Sequence, residues 1–186
     1  FYLVQVQSGA LTPRLFALKP GDKLWLGPKF TGLFTLDEVP PDRHVAFIAT
    51  GTGLAPYMSM LRTHLERDGR RRLAVLHGAR HSWDLRYRDE LVQMQRLAPH
   101  FTYLPVLTRP EAELAPWTGA TGRLPAYWAD GALARAWGFR PSPADTHIFL
   151  CGNPGMLEAM QQQLEAEGFR EQTKQAPGEI HLEKYW

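Results

Sequence analysis

The sequence predicts an α/β fold with a doubly wound parallel five-stranded sheet, preceded by the C-terminal part of an antiparallel β-barrel. Three observations lead there. From His44 onward, apolar runs of strand length alternate with helical stretches, the pattern of a parallel sheet covered on both faces. Two of these runs end in glycine-bearing turns that open helices, at Gly51-Thr52-Gly53 and Gly152-Asn153-Pro154. The segment before His44 instead holds short runs broken by closely spaced turn signals.

The chain opens on Phe1-Tyr2-Leu3-Val4-Gln5-Val6, rich in aromatic and β-branched residues. It reads as a strand entered without a preceding turn or cap, so the chain looks cut at its start. A second strand-like run covers Lys23 to Leu26, with turns at Ser8-Gly9, Pro20-Gly21-Asp22 and Gly32. So short a segment does not close a barrel alone. Pro40-Pro41-Asp42 forms a stiff junction and divides a barrel part, residues 1–41, from an α/β domain, residues 42–186. Within the latter, strands are expected at His44 to Ala49, Leu73 to His77, Phe101 to Leu107 and His147 to Cys151, with a last one over Glu179 to Trp186. Helices are expected over Ala55 to Glu66, Arg86 to Leu97 and Met156 to Glu167.

Composition narrows the function. The single cysteine, Cys151, excludes an internal disulfide framework and a thiolate zinc or iron–sulfur site, and it fits a reducing cytoplasm. No apolar run reaches the ~20 residues that span a bilayer, so no membrane association is expected. A net charge of +2 gives no reason to expect nucleic acid as a partner. Arg67, Arg70, Arg71 and Arg72 follow a helix and read as a solvated, dipole-complementing end. His77 and His81 stand four apart, but His77 lies on a strand and no Glu follows it, so no metal site is expected. None of Ser8, Ser59, Ser82 and Ser142 has the Gly-x-Ser-x-Gly frame of a nucleophile elbow, which disfavours a hydrolase.

Three constellations carry chemistry. In Thr50-Gly51-Thr52-Gly53-Leu54-Ala55-Pro56, Gly51 and Gly53 let backbone approach a pyrophosphate at a helix N-terminus, the alternative being a tight turn with no ligand. His77-Gly78-Ala79-Arg80 closes the next strand with an arginine where a site for an unphosphorylated dinucleotide puts an acid for the ribose 2′-hydroxyl. Arg109, in Leu107-Thr108-Arg109, and Arg123, in Thr121-Gly122-Arg123, stand at neighbouring strand ends and could converge on the same 2′-phosphate. In Cys151-Gly152-Asn153-Pro154-Gly155-Met156, Gly152 gives a ligand close access, Asn153 caps the helix and Pro154 opens it. Cys151 is either a small buried side chain or a functional group at the ligand edge.

In this order and spacing the chain resembles the bacterial ferredoxin/flavodoxin–NADP+ reductases. The resemblance runs through Phe1-Tyr2-Leu3-Val4, Leu11-Thr12-Pro13-Arg14-Leu15, Lys19-Pro20-Gly21-Asp22, Ala49-Thr50-Gly51-Thr52-Gly53, Gly78-Ala79-Arg80, Thr121-Gly122-Arg123, Cys151-Gly152-Asn153-Pro154 and Glu183-Lys184-Tyr185-Trp186. It implies an FAD-binding barrel and an NADP-binding α/β domain, with ferredoxin or flavodoxin as the electron partner of a monomer. The arginine-x-tyrosine-serine motif that the family carries before the Phe-Tyr-Leu-Val strand is missing from this sequence. By resemblance, Phe1, Tyr2, Leu3, Val4, Ala10, Leu11, Thr12 and Thr52 line the FAD site, Tyr185 stacks on the isoalloxazine ring and Trp186 covers the adenine. NADP falls to Gly51, Gly53, Ala79, Arg80, Thr108, Arg109, Arg123, Gly152 and Asn153, while Cys151, Glu183 and Tyr185 stand where hydride passes. The rival readings are the reductase component of an oxygenase and a non-catalytic nucleotide-binding fragment.

Overall fold

The computed structural model describes residues 1–29, 32–66, 69 and 71–184. Its centre is β1, His44–Thr50, whose five middle residues are all buried. That burial follows from the sequence Val-Ala-Phe-Ile-Ala, which offers an apolar side chain to both faces of a sheet. On one side β1 pairs in parallel with β2, Leu73–Ala79. On the other it pairs with β5, Thr146–Cys151. Outside β2 lie β3, Phe101–Leu107, and β4, Ala120–Thr121; outside β5 lies β6, Ile180–Glu183. The order is β4-β3-β2-β1-β5-β6 and every pairing is parallel.

The sheet therefore has six strands where the sequence predicts five. The extra one, β4, is two residues long, too short to leave a periodic signal, and it exists through its pairing with Val106 and Leu107 of β3.

Alternation along β1 builds two cores. Val45, Phe47 and Ala49 face α2, Leu54–His64, and α3, Arg88–Leu97, in a cluster with Tyr57, Leu61 and Leu91. Ala46 and Ile48 face the opposite way, toward Leu124 and Trp128 of α4, Leu124–Ala129; Leu133 and Trp137 of α5, Ala132–Trp137; and Leu157 and Met160 of α6, Pro154–Ala166. Helices α4 and α5 are six residues each, shorter than a window in which helical periodicity can be read.

The first segment behaves differently. Phe1 to Val6 and Lys23 to Leu26, expected as strands, form no ladder among the described residues. A strand is stable only against a partner, and none is offered there. One short helix, α1 at Thr12–Phe16, forms instead. Among the described residues, eleven of the fourteen exposed large hydrophobic side chains lie between Phe1 and Leu33, and none in that stretch belongs to a core cluster. From Phe34 the chain joins the first core, where Leu36 and Val39 are buried.

Charged and polar groups inside the fold correct one expectation. Arg71 is only 4% exposed, rather than part of a solvated helix end. Burial chiefly disfavours a charge on the nearby His147 ring; Glu179 opposes that effect, and Arg43 and then Arg71 add to it. Arg67 and Arg70 lie outside the described residues. His77 is a core residue whose Nδ1 meets the Tyr103 hydroxyl at 3.2 Å, and burial pushes its imidazole down to about 4. On β6, His181 stacks on Phe149 with ring centroids 4.2 Å apart and meets His147 Nδ1 through its Nε2 at 2.9 Å. Burial first, and the neighbouring His147 second, push His181 down to about 4.

At the carboxyl ends of β1 and β5 two turns interlock. Residues Gly51–Gly53 form a 3-10 turn running straight into α2, so Pro56 sits in that helix's first turn, where no N–H partner is lost. A Cβ on Gly53 would land on the Cys151 carbonyl. A Cβ on Gly152, whose φ is +140°, would lie 2.7 Å from the Thr50 carbonyl oxygen. The Asn153 backbone N–H donates to Thr50 Oγ1 at 2.8 Å, and Asn153 Oδ1 accepts from the amides of Gly155 and Met156, capping α6.

Two predictions follow from this packing. Gly53→Ala should destabilise by about 2 kcal/mol, since backbone must move. Gly51→Ala, with φ +55° but open space around it, should cost only about 1 kcal/mol of left-handed strain. Urea unfolding of the two variants checks the order, and equal losses would show that the turns do not meet this tightly. The second prediction concerns pH. Unfolded, both His77 and His181 gain a proton near 6.5, whereas folded they resist until about 4. Between these values the unfolded state binds more protons, so stability is complete above pH 6.5 and falls as the pH drops toward 4. The slope is at most about 1.4 kcal/mol per pH unit per ring. Unfolding free energies at pH 7 and pH 5 should differ accordingly, and His77→Phe should remove its share of the slope.

Candidate functional site

Strand order reverses at β1, with β2, β3 and β4 to one side and β5 and β6 to the other. In an open parallel sheet, ligands bind in the crevice outside the carboxyl ends of the strands at such a reversal. Here that crevice is floored by the interlocked turns at Gly51–Gly53 and Cys151–Asn153. Both bring side-chain-free backbone to the edge, and both start helices, whose first-turn amides have no partner within the helix. Gly51 and Asn153 are exposed, whereas Thr52 and Gly152 are half-buried and Gly53 is buried.

Three arginines stand further along the same edge. The β2–β3 ladder continues past the strands, with Thr108 N donating to the Ala79 carbonyl and Arg109 N to the Arg80 carbonyl, each at 3.0 Å. Arg80 and Arg109 are thus held side by side by backbone alone. Gly122 N donates to the Leu107 carbonyl at 2.8 Å, which brings Arg123, the N-cap of α4, to the next strand end. All three are exposed. Among the described residues, no acid or hydrogen-bond acceptor engages any of their guanidinium groups. A cation left unpaired on a ligand edge is available to an anion without first breaking an ion pair.

The remaining expected residues divide into those the fold gathers and those it does not. Cys151 and Glu183 are register partners on β5 and β6, so they stand next to each other at the edge. The Cys151 side chain belongs to the first core cluster and is fully buried, while Glu183 is partly exposed. At the N-terminus, Val6 N donates to Thr12 Oγ1 at 2.9 Å, which ties the first run to α1, and the Tyr2 ring meets Tyr87 edge-on at 5.9 Å. None of Phe1, Tyr2, Leu3, Val4, Ala10, Leu11 and Thr12 is buried. Tyr185 and Trp186 lie outside the described residues.

A feature that the sequence does not reveal is the brace between the turns after β2 and β3. Glu113 accepts from the Ser82 backbone N–H at 2.7 Å and from the Ser82 hydroxyl. The hydrogen bond from that hydroxyl holds the Glu113 carboxyl below the usual carboxylate range. In the same turn His81 Nδ1 meets Asp84 Oδ2 at 3.2 Å, and the His81 and Trp83 rings stack. The pairing of Ser82 with Glu113 joins residues 31 apart, so no local pattern announces it. A tryptophan in a polar stretch directly after Arg80 is the one signal the sequence offers.

Comparison with known proteins agrees with the fold. Residues 47–162 match the oxidoreductase NAD-binding domain family. The flavodoxin/ferredoxin–NADP reductases of Shigella flexneri and Escherichia coli (strain K12) are each 38% identical over 188 aligned positions, covering all of this chain and 74% of those proteins. A crystal structure of a ferredoxin NADP+ reductase from Neisseria gonorrhoeae with bound FAD and NADP shares the fold, with a TM-score of 0.81 and 24% identity over 96% of this chain and 70% of that one. On these grounds the chain belongs to the flavodoxin/ferredoxin–NADP reductase family.

Proposed function

We propose that this chain works as an FAD-dependent ferredoxin/flavodoxin–NADP+ reductase that takes the 2′-phosphorylated dinucleotide in preference to the unphosphorylated one. The observation that carries the preference is the set of three exposed guanidinium groups at successive strand ends, without a partner among the described residues, on the edge that also holds the two glycine turns. The residues present fit such a ligand. Gly51, Gly53, Gly152 and Asn153 supply backbone for the pyrophosphate, and Arg80, Arg109 and Arg123, on the backbone frame of Ala79 and Thr108, supply charge for the 2′-phosphate. For the flavin, exposed Phe1, Leu3, Val4 and Leu11 offer apolar surface of the kind a flat ring covers.

When bound, the cofactors supply hydride exchange between nicotinamide C4 and flavin N5 and the single-electron steps to the carrier protein. The chain's own residues orient and exclude water. In this reading residues 1–41 belong to the flavin-binding half and residues 42–186 to the dinucleotide-binding half. Cys151 and Glu183 flank the nicotinamide, and Thr52 reaches the flavin. No helix among the described residues is long and apolar enough to cross a membrane. In this reading the chain is a cytoplasmic monomer whose electron partner is ferredoxin or flavodoxin.

Arg80→Ala in the full chain should weaken NADPH about ten- to hundredfold, since a hydrogen bond to a charged group is worth ~1.5 to 3 kcal/mol. NADH should change less than about twofold, because it lacks the group that Arg80 serves. Calorimetric titration with both dinucleotides, with steady-state reduction of ferredoxin and of flavodoxin alongside, tests cofactor and acceptor together. Equal losses for NADPH and NADH would refute the assignment of Arg80.

A further inference from the structure

Outside the first 33 residues, only Trp83, Leu97 and Leu114 are exposed large hydrophobic side chains among those described. Leu97 and Leu114 are single aliphatic groups of the kind any surface carries. Trp83 is different because it is held in place. Its ring lies on the His81 ring with centroids 4.4 Å apart and planes 11° from parallel. Even so, 48% of the residue stays exposed. With imidazole covering one face of the indole, exposure on that scale leaves the opposite face open.

The turn beneath is fixed at several points. His81 N and His81 Nδ1 both meet Asp84 Oδ2, Leu85 is buried, and Ser82 is braced from the next turn by Glu113. A large apolar ring that is immobilised yet left uncovered has already lost the rotamer freedom that stacking a ligand would otherwise cost.

Its position gives the ligand. Trp83 follows Arg80 by three residues, so the two lie within about 10 Å along the chain. In a 2′-phosphorylated adenosine, phosphate and base hang from adjacent carbons of one ribose. A phosphate on Arg80 therefore leaves its base within reach of the turn that carries Trp83. We infer that the His81–Trp83 pair is a stacking platform for the adenine of the dinucleotide, with Trp83 making the contact and His81 positioning it. The inference rests on the reading of this edge as a dinucleotide site. It assigns to Trp83 an affinity term separate from the charge of the arginines, one that every adenine dinucleotide shares.

That separation sets the test. Wild type, Trp83→Ala, Trp83→Phe and Arg80→Ala, all as the full chain, are titrated by calorimetry with NADPH, NADH, adenosine 2′,5′-bisphosphate and reduced nicotinamide mononucleotide. Stacking of a base on an aromatic side chain corresponds to about a five- to hundredfold change in affinity. Trp83→Ala should lose that factor alike for NADPH, NADH and the bisphosphate, and lose nothing for the mononucleotide, which has no adenine. Trp83→Phe should retain most of the affinity. Failure of wild type to bind the bisphosphate would overturn the dinucleotide site itself. Binding that is weakened by Arg80→Ala but not by Trp83→Ala would overturn the platform alone. A Trp83→Ala loss confined to the 2′-phosphorylated ligands would also overturn it, as an effect on the arginines. Because Trp83 lies outside both cores, thermal unfolding of Trp83→Ala should match wild type, which separates lost stacking from lost folding.

Discussion

The close contact between the turns that leave β1 and β5 is the constraint on which the site depends. Thr50 accepts from the Asn153 amide, while Gly53 lies against the Cys151 carbonyl and Gly152 against the Thr50 backbone. Only backbone without Cβ atoms can come this close, so the positions of two helix N-termini are set together. Ala49 and Cys151 are register partners just beneath, which fixes the height of both turns relative to the sheet. The crevice is thus made rigid by strand pairing and by the Thr50 hydroxyl, whose oxygen accepts from the Asn153 amide.

Two energetic regimes meet in the chain. From Phe34 onward the side chains feed two cores on opposite faces of one sheet, in which Phe47, Ile48, Phe149 and Met160 are wholly out of water. Each such burial stabilises by about 1.5 to 3 kcal/mol before ordering costs are counted. The segment before it makes few such contributions. Its order comes from local bonds such as Val6 to Thr12 and Lys19 to Asp22, and from Tyr2 against Tyr87. Apolar groups left open in this way are what a partner surface or a flat ligand would cover.

What could be read in the sequence, and what could not, follows from how far each signal extends. The runs Val45 to Ala49 and Ile148 to Cys151 declare themselves because a strand buried on both faces is apolar at every position. The glycine turns and the helix-opening Pro154 are local chemistry, legible within a few residues. By contrast, β4 depends on a strand edge supplied by Val106 and Leu107, and α4 and α5 on a surface supplied by β2 and β3; neither appears in their own few residues. Phe1 to Val6 fails in the opposite sense, since its strand propensity is real but pairing is not a property of one segment. Arg71 reads as a surface charge because burial of a cation depends on what surrounds it. The Glu113 brace is invisible for the same reason.

As a dinucleotide site in the reading proposed above, the edge would combine two kinds of recognition that differ in what they can discriminate. Backbone amides at the glycine turns favour any pyrophosphate, since a helix N-terminus responds to negative charge and not to which dinucleotide carries it. The stacked indole, as the inferred platform, would likewise meet an adenine face common to both dinucleotides. Only the arginines distinguish them, and their exposure matters to that task. A buried guanidinium would have to be paired in the absence of ligand, and the incoming phosphate would then gain only the difference between two anions. Exposed, and without an ion-pair or hydrogen-bond partner among the described residues, Arg80, Arg109 and Arg123 would stay hydrated until a phosphate arrives, and three guanidinium groups at neighbouring strand ends would share its added negative charge. In the proposed site, selectivity would thus depend on backbone register, because the Arg109 to Arg80 hydrogen bond that extends the β2–β3 ladder places the two arginines side by side.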